Sequence, residues 1–247
     1  MSRPLPGLFV TGTDTGVGKT RVASAVARSL VAEGRRVGVL KPVATGASFS
    51  GGCWRSDDAE RLREGAGLHV SIDRVAPILY EEPVAPSVAA RRLGIPLTAE
   101  HLNRQVAEAI DWWQEEGAAE IMIIEGVGGL LCPLAEGTTV ADLAVRLDYP
   151  VVVVARLGLG TLNHTLLTVE AALRRSLRVV GVVLNNPEPT VGTLAESTNP
   201  AELSRRLPEG IALLANLPHG DDPVLSNEWR EIDWSHRARA SRTDRLD

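Results

Sequence analysis

Gly12-Thr13-Asp14-Thr15-Gly16-Val17-Gly18-Lys19-Thr20 decides the reading of this chain. A short apolar run, Leu8-Phe9-Val10, precedes it, and a helical pattern follows. The ending Gly-x-Gly-Lys-Thr is that of a phosphate-binding loop. Glycines let the backbone wrap an anion with its N–H groups. The helix that follows points its positive end at the same anion. In that frame Lys19 reaches the β/γ-phosphates and the Thr20 hydroxyl ligates Mg²⁺. The standard pattern has glycine where this chain has Thr13, and Gly12 lies one place earlier. Strand, loop and amphipathic helix in this order favour nucleotide phosphate binding over an ordinary glycine turn.

Outward from the loop, cation usage gives a second pointer. Lysine and arginine total 26, and the only lysines are Lys19 and Lys41. Where any surface cation would serve, the chain uses arginine. The exceptions mark places where a compact ammonium is needed and a guanidinium fork does not fit. Lys41 is therefore expected to be a site residue alongside Lys19.

The chain has 247 residues, enough for one large α/β domain. Aromatic residues are 4% of it, so Val, Leu, Ile and Ala must build the core. A net charge of −5 gives no support for a nucleic-acid surface. The start, Met-Ser-Arg-Pro-Leu-Pro, leads into a strand rather than a signal peptide, and runs such as Val151 to Ala155 are too short to span a bilayer. Cys53 and Cys132 form no disulfide framework, and the five histidines show no metal-ligand spacing. A cytoplasmic protein without membrane or nucleic-acid partners is expected.

Buried strands are expected at Leu8–Thr11, Arg36–Leu40, Glu120–Ile124, Pro150–Ala155, Val179–Leu184 and Ile211–Ala215, and a further strand at Val75–Leu79. Helices are expected at Lys19–Glu33, Asp57–Glu64 with Ser56 as cap, Thr98–Glu116, Thr139–Leu147, Thr161–Arg174 and Pro200–Leu207. Val43–Trp54 and Glu81–Pro86 read as loop. In Thr98–Glu116, Leu102, Val106, Ala109, Ile110 and Trp113 recur at helical spacing and read as core. Alternating strands and helices predict an α/β fold of the P-loop NTPase kind: a mostly parallel sheet, helices on both faces, one domain. Residues 1–234 form that domain in this reading, and 235–247 form a charged, frayed tail.

Ligands of open α/β sheets bind at the carboxyl ends of strands. That rule gathers the phosphate loop, Lys41 and Thr45, Glu125 with Gly126, Val127, Gly128 and Gly129, and Asn185 with Asn186 on one edge. Glu125 closes an apolar strand as a Walker-B acid does, and would hold Mg²⁺ directly or through water. The glycines after it form either a second anion nest or a plain turn. Asp57 and Asp58 both sit at a helix start, and either could serve the metal. Asn185 either offers an amide to a purine edge or makes turn chemistry before Asn186-Pro187.

Taken together, Thr11 to Thr15, Val17 to Thr20, Lys41-Pro42-Val43-Ala44-Thr45-Gly46, Glu125-Gly126-Val127-Gly128-Gly129 and Leu157 to His164 resemble the dethiobiotin synthetase family. The resemblance spans about residues 8 to 218. It implies a cyclo-ligase of biotin biosynthesis that uses MgATP and CO₂ to close a ring on 7,8-diaminopelargonic acid (7,8-diaminononanoate). A carbamate and then a carbamic–phosphoric anhydride precede dethiobiotin, ADP and phosphate. Lys41 would be the active-site lysine, working with Lys19. Thr15 and Thr45 would lie near substrate. Thr20, Asp58 and Glu125 would be the Mg²⁺ ligands, which selects Asp58 over Asp57. Gly16, Val17, Gly18, Lys19, Thr20 and Arg21 would hold ATP, together with Gly126, Val127 and Gly128. Asn185, Asn186 and Pro218 would form the adenine pocket. Gly16 stands where some members carry glutamate. A homodimer is implied, with the diamine near the subunit interface. Two other classes fit less well. A partitioning or scaffold ATPase of the deviant-loop class carries a second lysine where this chain has Asp14. A corrinoid-acid amidotransferase needs a glutaminase segment for which no length remains.

Overall fold

The computed structural model describes residues 5–189 and 192–239. The phosphate-loop segment opens with β1 (Gly7–Gly12), α1 (Lys19–Ala32) and β2 (Val37–Leu40). A strand β3 (Val43–Thr45) follows, then a hairpin of β4 (Ser48–Ser50) and β5 (Cys53–Arg55). Next come α2 (Asp57–Gly65), α3 (Ile72–Val75), β6 (Ile78–Tyr80), α4 (Pro86–Arg92) and α5 (Ala99–Glu115). The middle holds β7 (Ile121–Glu125), β8 (Pro133–Ala135), β9 (Thr138–Thr139), α6 (Val140–Leu147) and β10 (Val151–Arg156). The chain then runs α7 (Thr161–Arg174), β11 (Val179–Asn185), α8 (Leu194–Arg206), β12 (Leu213–Leu217), α9 (Asn227–Arg230) and α10 (Trp234–Arg239).

Six strands form the central sheet in the order β12-β11-β10-β1-β7-β2, and every neighbouring pair is parallel. Successive side chains of a strand face opposite sides of a sheet. Every residue of β1, β2 and β7 is nonetheless buried, so both faces are covered, as parallel sheets require. β1 runs to β2 past the position that β7 fills, and β10 then joins the other side of β1. The strand order therefore reverses at β1, which places the binding crevice at its carboxyl end.

Several expectations shift. Val43–Trp54 is not all loop: Val43–Thr45 pairs in parallel with Ile78–Tyr80, and Gly51-Gly52 turns the β4–β5 hairpin. The strand expected over Val75–Leu79 divides into the end of α3 and β6. The helix expected from Pro200 starts at Leu194, because Thr193 and Glu196 form a capping box and Pro200 is carried inside it. The last sheet strand lies at Leu213–Leu217 and ends directly before Pro218. Helices α4, α9 and α10 were not expected. The frayed tail does not begin at Ser235: α10 runs to Arg239, and Trp234 and Ala238 are buried. Trp234 packs against Trp229, ring centroids 4.9 Å apart, and Trp229 Nε1 donates to Ser29 Oγ on α1 at 2.9 Å. Arg237 donates to the Val180 carbonyl at 2.6 Å. The remainder of the expected tail, 240–247, lies outside the described residues. In α5, Leu102, Val106 and Trp113 are buried, while Ala109 and Ile110 are partly buried against the core.

Candidate active site

Four segments distant in sequence meet at the carboxyl edge of β1, β7 and β2. The phosphate loop leaves β1, Glu125 is the last residue of β7, and Lys41 follows β2 directly. The Lys41 backbone N–H donates to the Val75 carbonyl at 2.7 Å, which fixes where β2 stops. Asp58 sits in the first turn of α2, whose start Ser56 caps by accepting from the Ala59 N–H.

The side chains form one connected ion cluster. Lys41 Nζ lies 2.7 Å from Glu125 Oε1 and 2.5 Å from Asp58 Oδ2. The Thr20 hydroxyl lies 2.8 Å from Asp58 Oδ1 and 2.8 Å from Glu125 Oε1. Lys19 Nζ donates to the Asp14 carbonyl at 2.9 Å. Lys41 is only 2% exposed and Glu125 1%, whereas the Asp58 side chain is 46% exposed. Burial alone would push the Lys41 ammonium down, but Glu125 and Asp58 outweigh it and hold it above the usual lysine range. Burial also lowers Lys19, helped by the neighbouring Lys41 charge and opposed by Glu125. Burial raises the Glu125 carboxyl against the pull of Lys41. For Asp58, burial acts upward but Lys41 prevails and the carboxyl falls below its ordinary value. Isolated buried charges are very costly, so each ion here depends on the others.

The cluster fits a hard cation. One hydroxyl and two carboxylates converge, and Glu125 Oε2 is buried with no hydrogen-bond partner among the described residues. Mg²⁺ is commonly held by one or two carboxylates plus substrate phosphates rather than by an all-protein cage. Among the described residues no group of three or more His, Cys, Asp or Glu forms such a cage. Two ammonium groups and two carboxylates also cancel, so a polyanion needs a further positive charge to be favoured.

Asp57, Asp58's neighbour, is exposed and makes no hydrogen bond or ion pair with this cluster. Gly18 takes φ of +93°, a conformation that favours glycine, and a side chain there would collide with Asn185. Asn185 is fully enclosed: its Nδ2 donates to the Val17 carbonyl at 2.8 Å, and its Oδ1 accepts from Arg21 at 2.5 Å. Asn186 is buried beside it, its N–H donating to the Leu217 carbonyl. Pro218 offers its carbonyl to Arg21 at 2.9 Å. These residues stand together on the β11–β12 side of the phosphate loop. Gly126 to Gly129 pass along the loop's other side, where Gly126 donates to the Val10 carbonyl and a Cβ on Gly129 would meet the Thr13 carbonyl at 3.3 Å. Val127, in the same loop, is partly buried against the core.

Thr15 lines a cleft of ≈390 Å³ with Asp14, Gly128, Leu131, Cys132 and Leu167. Thr45 ends β3, on the segment that begins at Lys41. Sequence reasoning missed Leu131, Cys132 and Leu167 as lining residues, because leucine on a helix or loop reads as core. Their signal is exposure, which only a fold reveals: Leu131 and Leu167 are both more than half exposed. It also missed Asp221, whose carbonyl accepts from Arg21.

Known proteins share this arrangement of sequence. A family model described as an AAA domain matches residues 6–226. The ATP-dependent dethiobiotin synthetase BioD of Anaeromyxobacter dehalogenans strain 2CP-C is 42% identical over 234 residues, 95% of this chain and 94% of that protein. The protein of the same name from Anaeromyxobacter sp. strain K is 44% identical over 84% of this chain and 89% of its own length. That from Thermodesulfovibrio yellowstonii is 39% identical over 86% and 88%.

Proposed function

This chain belongs to the matched AAA-domain family and to the dethiobiotin synthetases, and we propose that it catalyses their ring closure. In this reading 7,8-diaminopelargonic acid, CO₂ and ATP give dethiobiotin, ADP and phosphate. One amine of the diamine adds to CO₂ and loses a proton, forming a carbamate. A carbamate oxygen attacks the γ-phosphorus and ADP leaves, giving a carbamic–phosphoric anhydride. The second amine attacks the carbamoyl carbon, and phosphate departs as the cyclic urea closes.

The observation that carries the reading is Lys41: an enclosed ammonium held at the phosphate loop by two acids. Phosphoryl transfer asks the protein mainly for positioning and for neutralisation of charge. Carbamate and triphosphate repel one another, and Lys41 and Lys19 offer ammonium charge to both. The backbone N–H groups of Gly16 to Arg21 cradle the phosphates. Thr20, Asp58 and Glu125 would hold Mg²⁺, which when bound neutralises charge on the phosphate oxygens. Asn185, Asn186 and Pro218 lie where the adenine end would sit, and Gly126 to Gly128 border the phosphates. Thr15 and Thr45 would face the diamine, whose apolar chain suits the cleft lined by Leu131 and Leu167. Exposed Leu159, Leu131 and Leu167 support a homodimer that covers them, and the same reading places the protein in the cytoplasm. Among the described residues no helix is long and apolar enough to cross a membrane.

The test is phosphate release from MgATP with diamine and bicarbonate, each omitted in turn. Release is expected to require both. Release indifferent to the diamine overturns the reading.

A further inference from the structure

We propose that Arg21 is a positioning residue that sets nucleobase selectivity, by pinning the end of β11 and the loop after β12 to the start of α1. The inference rests on the nucleotide reading of the site and not on the diamine.

The sheet order assigns the two ends of a nucleotide. Lys41, Glu125 and Asp58 gather on the β7–β2 side of β1, so the reacting phosphate faces that side. The remainder of a triphosphate must lead to the opposite side, toward the ends of β11 and β12. Beside Thr20 and Arg21 a cleft of ≈310 Å³ runs along α1, between Arg61, Glu64 and Gly65 of α2 on one side and Asp222 and Pro223, beyond β12, on the other.

Arg21 crosses to that wall. One terminal nitrogen donates to Asn185 Oδ1 at 2.5 Å, and the other donates to the Pro218 carbonyl at 2.9 Å and to the Asp221 carbonyl. Asn185 passes the link on to the Val17 carbonyl inside the phosphate loop at 2.8 Å. All three acceptors of the guanidinium are neutral oxygens: Asn185 closes β11, and Pro218 and Asp221 lie in the loop that follows β12. What the side chain holds is therefore the position of that loop against the end of β11. A guanidinium presents its donors in a rigid planar fork that can meet three separated acceptors at once, and an ammonium cannot reproduce it. Next to it, Arg28 pairs with Asp222, so the same wall is tied to α1 a second time, two turns further on. Asn185 is enclosed and its oxygen is taken by Arg21, so base preference passes through the wall that Arg21 fixes.

The test measures binding of MgATP, MgGTP and magnesium tripolyphosphate by calorimetry to the wild type, Arg21→Ala and Arg21→Lys. Tripolyphosphate is the probe without a base. Arg21→Ala is expected to weaken MgATP about tenfold, as loss of one charge-assisted hydrogen-bond set does. It should bring MgATP and MgGTP to within about threefold of each other and leave tripolyphosphate within about twofold of wild type. Arg21→Lys should lose most of the same selectivity. In turnover assays KM for ATP should rise about tenfold while kcat falls less than about threefold, since the reacting end is untouched.

Equal losses for MgATP and tripolyphosphate would overturn the proposal, because Arg21 would then act at the phosphates. Unchanged selectivity in either variant would overturn it too, as would a wild type that binds both nucleotides alike. Retained tripolyphosphate binding reports a folded site. If Arg21→Ala binds nothing, Arg21→Lys decides. A wild type that binds no MgATP at all would instead bring down the nucleotide reading itself.

Discussion

On one flank of β1, the ends of β7 and β2 bring together Lys41, Glu125 and Asp58, all charged. On the other, the ends of β11 and β12 bring together Asn185, the Pro218 and Asp221 carbonyls and the Val17 carbonyl, all neutral, with one arginine spanning them. Both flanks touch the phosphate-loop segment, one through Thr20 and the other through Val17, but they solve different problems. An enclosed ion cluster is a poor way to stabilise a fold, since desolvation offsets most of the attraction. In the proposed function, its presence on one flank marks the place where charge would develop during reaction. Neutral hydrogen bonds give modest net stability but fix directions well, and the other flank uses them to hold a wall in place. The difference predicts that substitutions on the first flank act on turnover and those on the second act on nucleotide affinity.

The largest expected effect breaks the charged flank. Lys41→Arg keeps the charge, but the guanidinium is bulkier and cannot fit a pocket where Lys41 is 2% exposed between two acids. Turnover should fall about 10²–10³-fold, the loss typical of removing one donor to developing charge. MgATP affinity should change far less. Steady-state kinetics beside calorimetry separates the two, and wild-type turnover in this variant would remove any specific role for that ammonium.

The next effect falls on the neutral flank. A Cβ on Gly18 would stand 2.0 Å from Asn185 Nδ2, and the residue's φ of +93° is itself unfavourable for alanine. Overpacking of this kind costs about 1–3 kcal/mol. Spent on the loop that meets the phosphates, that is about ten- to a hundredfold in MgATP affinity. A Gly18→Ala protein that binds MgATP as well as wild type would mean that Asn185 does not brace the loop.

The flanks also differ in how far the sequence exposed them. Lys19, Lys41 and Glu125 were visible because their residue types are rare or out of place at the ends of apolar runs, and burial confirms the oddity. Asp58 could not be told from Asp57 by helix-start chemistry, since both positions are favourable to an acid. Only the turn of α2 brings one of them to Lys41. The neutral flank was legible only in part: Asn185 and Asn186 stood at a strand end, while Arg21 and Pro218 came from the family resemblance alone. Its acceptors are mostly backbone carbonyls, which every residue carries, and Arg21 is one of 24 arginines once the two lysines are taken from the 26 cations. The strong sheet strands were placed to within two residues or so because buried parallel strands are continuous apolar runs. The short strands β3 to β6 were not, as each has three residues, too few to make a pattern, and a partner outside the main sheet. The C-terminal helices α9 and α10 were missed because two tryptophans, Trp229 and Trp234, supply most of their anchoring, and two residues make no periodic pattern.

The smallest expected effect sharpens the contrast, because here the flanks should behave alike. Each carries one capping box. Thr139 and Asp142 cap α6 after the glycine loop, with Thr139 N–H donating to Asp142 at 2.8 Å. Thr193 and Glu196 cap α8 after Asn186, with Thr193 N–H donating to Glu196 at 2.7 Å. Neither box is among the residues proposed to hold the nucleotide, so Thr139→Ala and Thr193→Ala should each lower stability by about 1 kcal/mol with kcat and KM unchanged. The Thr139 hydroxyl and N–H hold the Asp142 carboxyl below its ordinary value. Because the folded carboxyl is the stronger acid, its contribution is complete above the unfolded value near 4 and fades as pH falls through the folded one. Urea unfolding of wild type against Asp142→Asn should therefore show a gap at pH about 7 that narrows as pH falls below about 4. A gap that widens toward acid would mean that the carboxylate is not what closes the box.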